Sequence, residues 1–211
     1  MGVIHVSHEQ HISVVTIDDA ERYNAMSLSM WTDLKQAFDK IEADTQVRAV
    51  ILRGAGEKAF VSGANISEFE TQRNSEASVA HYNQSVAQAQ AAITRCKVPV
   101  IAAISGICYG GGLGLALSCD LRYASPASKF RMPAARLGLG YGYHGMKSIV
   151  QNLGPTAAAE AFYTAKVYGA LEAAHMGILN AVHDNVFEHC SEIALAIPPC
   201  LMPSSRTTTL L

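Results

Sequence analysis

Two stretches of this chain place glycine where a main-chain amide can be presented to a ligand. The first is Phe60-Val61-Ser62-Gly63-Ala64-Asn65-Ile66, and the second is Gly110-Gly111-Gly112, set between a strand-like and a helix-like segment. Glycine at such a turn permits positive φ and leaves the amide unshielded by a side chain. Amides that open a helix have no intrahelical acceptor and lie at the positive end of its dipole. Two such donors from separate loops are what an oxyanion hole for a carbonyl requires. A glycine triplet by itself equally suits close packing of helix on strand, or a phosphate cradle. A P-loop would continue with Lys-Ser/Thr, whereas Leu113-Gly114 follows here, and Gly110, Gly112 and Leu115 do not match the dinucleotide pattern. No G-x-S-x-G elbow is present, and Ser62 and Ser105 have no His or Asp beside them in sequence.

The elements that must carry these turns alternate along the chain. Ile12 to Ile17 is a β-branched run and reads as a strand. Ser27 can cap a helix in which Leu34, Ala37, Phe38 and Ile41 keep helical spacing. Arg48 to Leu52 reads as a buried strand closed by Gly54-Ala55-Gly56. Val79, Tyr82, Val86, Ala89 and Ile93 mark one apolar face of a helix over Ser78 to Cys96. Val98 to Ile104 is a short apolar strand with Pro99 near its start, where no ladder donor is needed. A helix over Leu113 to Ser118, a strand over Asn180 to His183, and helices over Thr156 to Thr164 and Leu171 to Met176 complete the pattern. Such alternation predicts α/β architecture with crossover connections and a buried sheet.

Composition narrows the classes. The chain has 211 residues, 49% hydrophobic and 16% charged, which is ample for a core and wrong for a disordered chain. Sixteen Lys+Arg against eighteen Asp+Glu leave a formal charge of -2, with no excess of positive charge to hold nucleic acid. No apolar run reaches the roughly 18 residues of a membrane span. The opening MGVIHVSHEQ has no basic region followed by an apolar core, so no secretory leader is expected. Five cysteines without CxxC spacing read as buried thiols in a cytoplasmic protein. His5, His8 and His11 alternate near the N-terminus; a polar edge strand accounts for them more simply than a metal site, and no metal is expected. His175, His183 and His189 read as surface residues, Trp31 and the methionines as packing, and Asp120 as an acceptor for backbone amides.

The motifs Asn24-Ala25-Met26-Ser27, Lys58 to Phe69, Lys97 to Gly106, Gly110-Gly111-Gly112 and Cys119 to Ala124 occur in that order. In this the chain resembles the enoyl-CoA hydratase/isomerase (crotonase) family from its N-terminus to about Val182. The resemblance implies a spiral of ββα units over residues 1–196, with an irregular tail over 197–211 and a shortened C-terminal helical region. It implies an acyl-CoA thioester whose carbonyl sits between the amides of Ala64 and Gly111, and no separate cofactor, because coenzyme A is part of the substrate. Lys58, Ala59, Phe60, Gly63, Asn65, Ile66 and Gly110 would line the coenzyme and thioester. Assembly as a homotrimer or hexamer is also implied.

Two departures bear on the reaction. Typical hydratases of the family use two glutamates, one just after the triple glycine and one after the proline of a Phe-x-x-Pro-Glu segment. This chain has Gly114 at the first position and Ala134 at the second. Neither can move a proton, so a two-carboxylate hydration is not expected. Tyr141 and His144 are then the candidate catalytic side chains, with Tyr143 shaping the acyl pocket; Glu68 and Glu70 read as surface residues. Enoyl-CoA processing through a stabilised enolate is the leading expectation, and a catalytically silent acyl-CoA-binding or assembly protein is the alternative.

Overall fold

The computed structural model describes residues 2–65 and 75–198. Strands β1 (Val3–Glu9) and β2 (Ile12–Asp18) form an antiparallel hairpin. β1 is the sheet edge and largely exposed: His5 faces Asp18 at 3.4 Å, and His8 Nδ1 lies 3.0 Å from Ser13 Oγ. His5 and His8 therefore belong to a polar edge strand, whereas His11 lies in the turn to β2 with its Nε2 buried and without a hydrogen-bond partner among the described residues. Among the described residues no group of three or more His, Cys, Asp or Glu is placed to hold a metal ion.

Helix α1 (Leu28–Ala43) begins where the Met30 amide donates to Ser27 Oγ at 3.2 Å, and it buries Met30, Trp31, Leu34, Ala37, Phe38 and Ile41 along one stripe. Then a unit recurs: strand, short strand, helix. The first is β3 (Ala49–Gly54), β4 (Ala59–Val61) and α2 (Glu76–Arg95). The second is β5 (Val100–Ile104), β6 (Ile107–Tyr109) and α3 (Gly111–Ser118). β7 (Leu121–Ala124) and β8 (Lys129–Arg131) start a third, closed by α4 (Tyr143–Thr164). β9 (Tyr168–Gly169), α5 (Ala170–His175), β10 (Ala181–Val182) and α6 (Val186–Ala196) follow.

The strands sort into a six-stranded sheet, β1-β2-β3-β5-β7-β10, and a four-stranded sheet, β4-β6-β8-β9. From β2 onward the large sheet is parallel, so both its faces are covered. Val15, Ile17, Val50, Leu52, Val100, Ala102 and Ile104 face the main core with α1, α2 and α3. Their neighbours Ile12, Val14, Ala49, Ile51, Ile101 and Ala103 face α6 through Val186, Cys190 and Ala194. The strand period of two thus feeds two cores from one run of apolar residues. Pro99 stands one residue before β5, and Asp120 Oδ2 accepts the Val100 amide at 2.7 Å.

The expected helices need three adjustments. α3 starts at Gly111, not Leu113, because the glycines themselves form its first turn. The helix expected at Thr156 is the second half of α4, whose chain breaks at Gly154 (φ 75, ψ 163) before Pro155. α6 was not legible at all. His175 is exposed, but His183 and His189 are half-buried and stacked, centroids 3.5 Å apart, with Tyr123 edge-on to both. Cys96, Cys108, Cys119 and Cys190 are all buried. No helix among the described residues is long and apolar enough to cross a membrane. Ile66, Glu68, Glu70, Cys200 and residues 199–211 of the expected tail lie outside the described residues.

Candidate active site

β4 and β6 are parallel neighbours, so the turns that leave them emerge side by side. At Gly112 a Cβ would collide with the Val61 carbonyl oxygen and stand 2.8 Å from the Val61 Cβ; only glycine lets α3 approach β4 this closely. The corresponding point at Gly63 lies 3.7 Å from the Tyr109 carbonyl oxygen. Gly110 makes the reversal into α3 at φ 52, ψ −112, where a side chain would strain the backbone. Its amide donates to the Arg131 carbonyl at 2.9 Å, which ties the turn to β8. The two glycine stretches read from the sequence are therefore packed against each other.

The amides at these turns are oriented by their neighbours. Ala64 bridges Met26 in parallel: the Met26 amide donates to Gly63 O at 2.8 Å, and the Asn65 amide to Met26 O at 2.9 Å. In that pattern Ala64's own N–H and C=O point to the opposite side of the chain from Met26. Gly111 is the first residue of α3, and the first bond of the helix runs from the Gly114 amide to Gly110 O at 3.1 Å. The Gly111 amide thus has no acceptor within the helix and lies at its positive end. The Trp31 ring packs 3.3 Å from the Gly111 Cβ position, held by its Nε1–H donating to Tyr82 Oη at 3.0 Å.

Asn24 fixes the approach to β4. Its buried side-chain amide donates to Ala55 O at 3.0 Å and Ala59 O at 2.7 Å, while its oxygen accepts the Asp19 amide at 3.0 Å. Ala59 and Phe60 are buried, main chain included, and Lys58 is exposed. Tyr143 is 74% exposed at the start of α4. His144 stands in the first turn of the same helix, and its side chain lies outside the described residues.

The space over Gly114 is occupied from two sides. A Cβ there would lie 2.5 Å from Gln90 Nε2 on α2 and 3.9 Å from the Tyr141 hydroxyl oxygen. Ala134 is buried, and the preceding Pro133 packs 3.7 Å from the Gly110 Cβ position. Both positions at which the resemblance implies glutamate therefore adjoin the glycine turn, and neither Gly114 nor Ala134 supplies a carboxylate. The Tyr141 ring meets Phe162 edge-on, centroids 5.2 Å apart. Burial, and secondarily the nearby Tyr82, push the Tyr141 phenol up to about 12 from its ordinary 10.0, so it is a neutral donor at physiological pH. That preference stabilises the fold fully below pH 10 and is lost as pH rises through about 12, because the unfolded chain ionises first. Urea midpoints between pH 10 and 12 should fall less steeply in Tyr141→Phe than in the parent, the difference being on the order of 2 kcal/mol.

Gln90 is a residue the sequence did not single out, and Asn24 stood there only as part of the motif Asn24-Ala25-Met26-Ser27, without a role. Gln90 did leave a signal: it falls between Val86 and Ile93, at steps of four and three, on the inward stripe of α2. A polar side chain there breaks an apolar row for a reason outside the helix. The role of Asn24 was not legible, since two of its three partners are 31 and 35 residues away.

Comparison with known proteins gives a consistent answer. The sequence pattern of the enoyl-CoA hydratase/isomerase family matches residues 7–199. The short-chain-enoyl-CoA hydratase of Clostridium acetobutylicum is 34% identical over 174 residues, which are 82% of this chain and 66% of that protein. The enoyl-CoA hydratase/isomerase YngF of Bacillus subtilis is 32% identical over 198 residues, 93% of this chain and 75% of that protein. Among solved structures, an enoyl-CoA hydratase/carnithine racemase from Magnetospirillum magneticum superposes with a TM-score of 0.94 at 36% identity, covering 99% of this chain and 80% of that one.

Proposed function

The chain belongs to the enoyl-CoA hydratase/isomerase family, and from that membership we propose that it binds an acyl-CoA thioester and polarises its carbonyl between the amides of Ala64 and Gly111. The observation that supports this most directly is the contact between the two glycine turns, Gly112 on Val61 and Gly63 by Tyr109. Donors fixed in this way act on charge as it develops, because an enolate oxygen accepts more strongly than the ground-state carbonyl. Main-chain atoms of Lys58 to Ile66 would carry the coenzyme, whose pyrophosphate and pantetheine need few side chains. The reading needs no cofactor beyond coenzyme A, and it expects a trimer or hexamer in the cytoplasm; exposed Tyr163, Val167 and Leu171 offer apolar surface for such an assembly.

The reaction is where the side chains matter. With Gly114 and Ala134 at the glutamate positions, hydration through two carboxylates has no support, and the same two residues favour the second reading, an acyl-CoA-binding protein without turnover. A panel of CoA thioesters, crotonyl-CoA included, distinguishes them by thermal melting followed by mass spectrometry. A ligand at about 100 times its Kd should raise Tm by about 5–10 °C. A shift with product formed supports the enzyme, and a shift with every thioester recovered supports the silent binder. No shift with any thioester sinks both.

A further inference from the structure

Resting on the thioester site just proposed, a substrate preference can be read from what fills the space over Gly114. Gly111 and Gly114 are three residues apart on α3, so they lie on one face about 4.5 Å apart along the axis. A thioester whose oxygen meets the Gly111 amide therefore brings the first carbons of its acyl chain over Gly114. Two polar groups reach that point from outside α3: the Gln90 amide from α2 and the Tyr141 hydroxyl from the loop before α4. No hydrogen bond ties either group to a described residue, although the Gln90 main-chain carbonyl is taken by Thr94 Oγ1 at 3.1 Å. A partly buried amide and phenol left in this way are poised for a partner that arrives with the ligand.

We infer that Gln90 and Tyr141 are specificity-determining residues that hold an oxygen carried on the carbon β to the thioester carbonyl. Both groups are neutral, so they bind that oxygen without withdrawing its proton. Glutamine donates and accepts, and the phenol donates and accepts. A hydroxyl can satisfy both in either direction, and a ketone oxygen can accept from both. An unsubstituted acyl chain gives neither group a partner and leaves both desolvated, which lowers its affinity. Selection thus comes from partners left unpaired by the wrong ligand, the strongest form of discrimination a small site can apply.

Isothermal titration of the whole chain with butyryl-CoA, 3-hydroxybutyryl-CoA and acetoacetyl-CoA reads this as a ratio of affinities. The parent protein should bind at least one of the β-oxygenated esters about tenfold more tightly than butyryl-CoA, the amount two modest hydrogen bonds provide. A preference for 3-hydroxybutyryl-CoA identifies a hydroxyl partner, and one for acetoacetyl-CoA a ketone. In Gln90→Leu and in Tyr141→Phe, each verified as folded by its melting curve, the ratio should fall to within about threefold of unity. A parent ratio near unity, or a ratio kept in both variants, overturns the inference while leaving the thioester site intact. Failure of all three esters to bind overturns the thioester site itself, and this preference with it.

Discussion

Gly112→Ala should abolish most of the carbonyl polarisation in a bound thioester and cost the fold about 1–3 kcal/mol. The added methyl has nowhere to go: the Val61 carbonyl already occupies the space, and the Val61 Cβ closes the other side at 2.8 Å. Neither obstacle is the flexible end of a side chain. The first turn of α3 must then back away from β4, and the Gly111 amide moves with it while Ala64 stays fixed to Met26. One misplaced donor of such a pair is worth about 10²–10³ in kcat. Turnover of the best thioester in the panel reads this directly. The carbonyl stretch of bound thioester, measured by infrared difference, reads it even without turnover, because a lowered frequency should return towards its value in water. Gly169→Ala is the control, since its added methyl meets nothing within 4 Å. Near-parental turnover and an unchanged stretch in Gly112→Ala would contradict the assignment of these turns.

The second large effect is a gain. Gly114→Glu alone must displace the Gln90 side-chain amide, whose Nε2 would lie 2.5 Å from the new Cβ and which, as the end of a flexible side chain, can swing aside. Combined with Gln90→Ala, the same change finds room, and the Tyr141 hydroxyl stands 3.9 Å from the new Cβ as a donor for the carboxylate. One positioned acid-base group contributes about 10²–10⁴ to a proton transfer, so the double variant should hydrate crotonyl-CoA at least about 100-fold faster than the parent. The two changes share one space and should be non-additive in their effect on the hydration rate. Equal hydration rates in all four proteins would show that the space over Gly114 is not where the acyl chain lies.

Much of this arrangement was legible because it is local. β2, β3 and β5 are unbroken apolar runs, and α1 and α2 keep helical spacing over many turns, so their order predicts the parallel sheet. The two glycine turns were visible as turns. What no spacing could reveal is that they touch, since Val61 and Gly112 meet only through the pairing of β4 with β6. Strands of two or three residues, such as β6, β8 and β9, are too short to show a period, and they exist through their partners alone. The first half of α4 was hidden by Gly142, which precedes the helix as its N-cap, and by Gly145, a poor helix former that packs against the Tyr141 ring. The substitutions at Gly114 and Ala134 needed only the motif order, whereas Gln90 needed the fold to bring α2 over α3.

The break at Gly154 divides responsibility within α4. In a continuous helix one inserted or deleted residue rotates everything beyond it by about 100°. Here the ladder is interrupted by an extended glycine, and Pro155 restarts it from a position that needs no donor. The half that begins beside Tyr141 can therefore change length or register while the half carrying Phe162 keeps its seat against the core. An insertion or deletion at that joint would reshape the segment beside Tyr141 and leave the register of the second half unchanged.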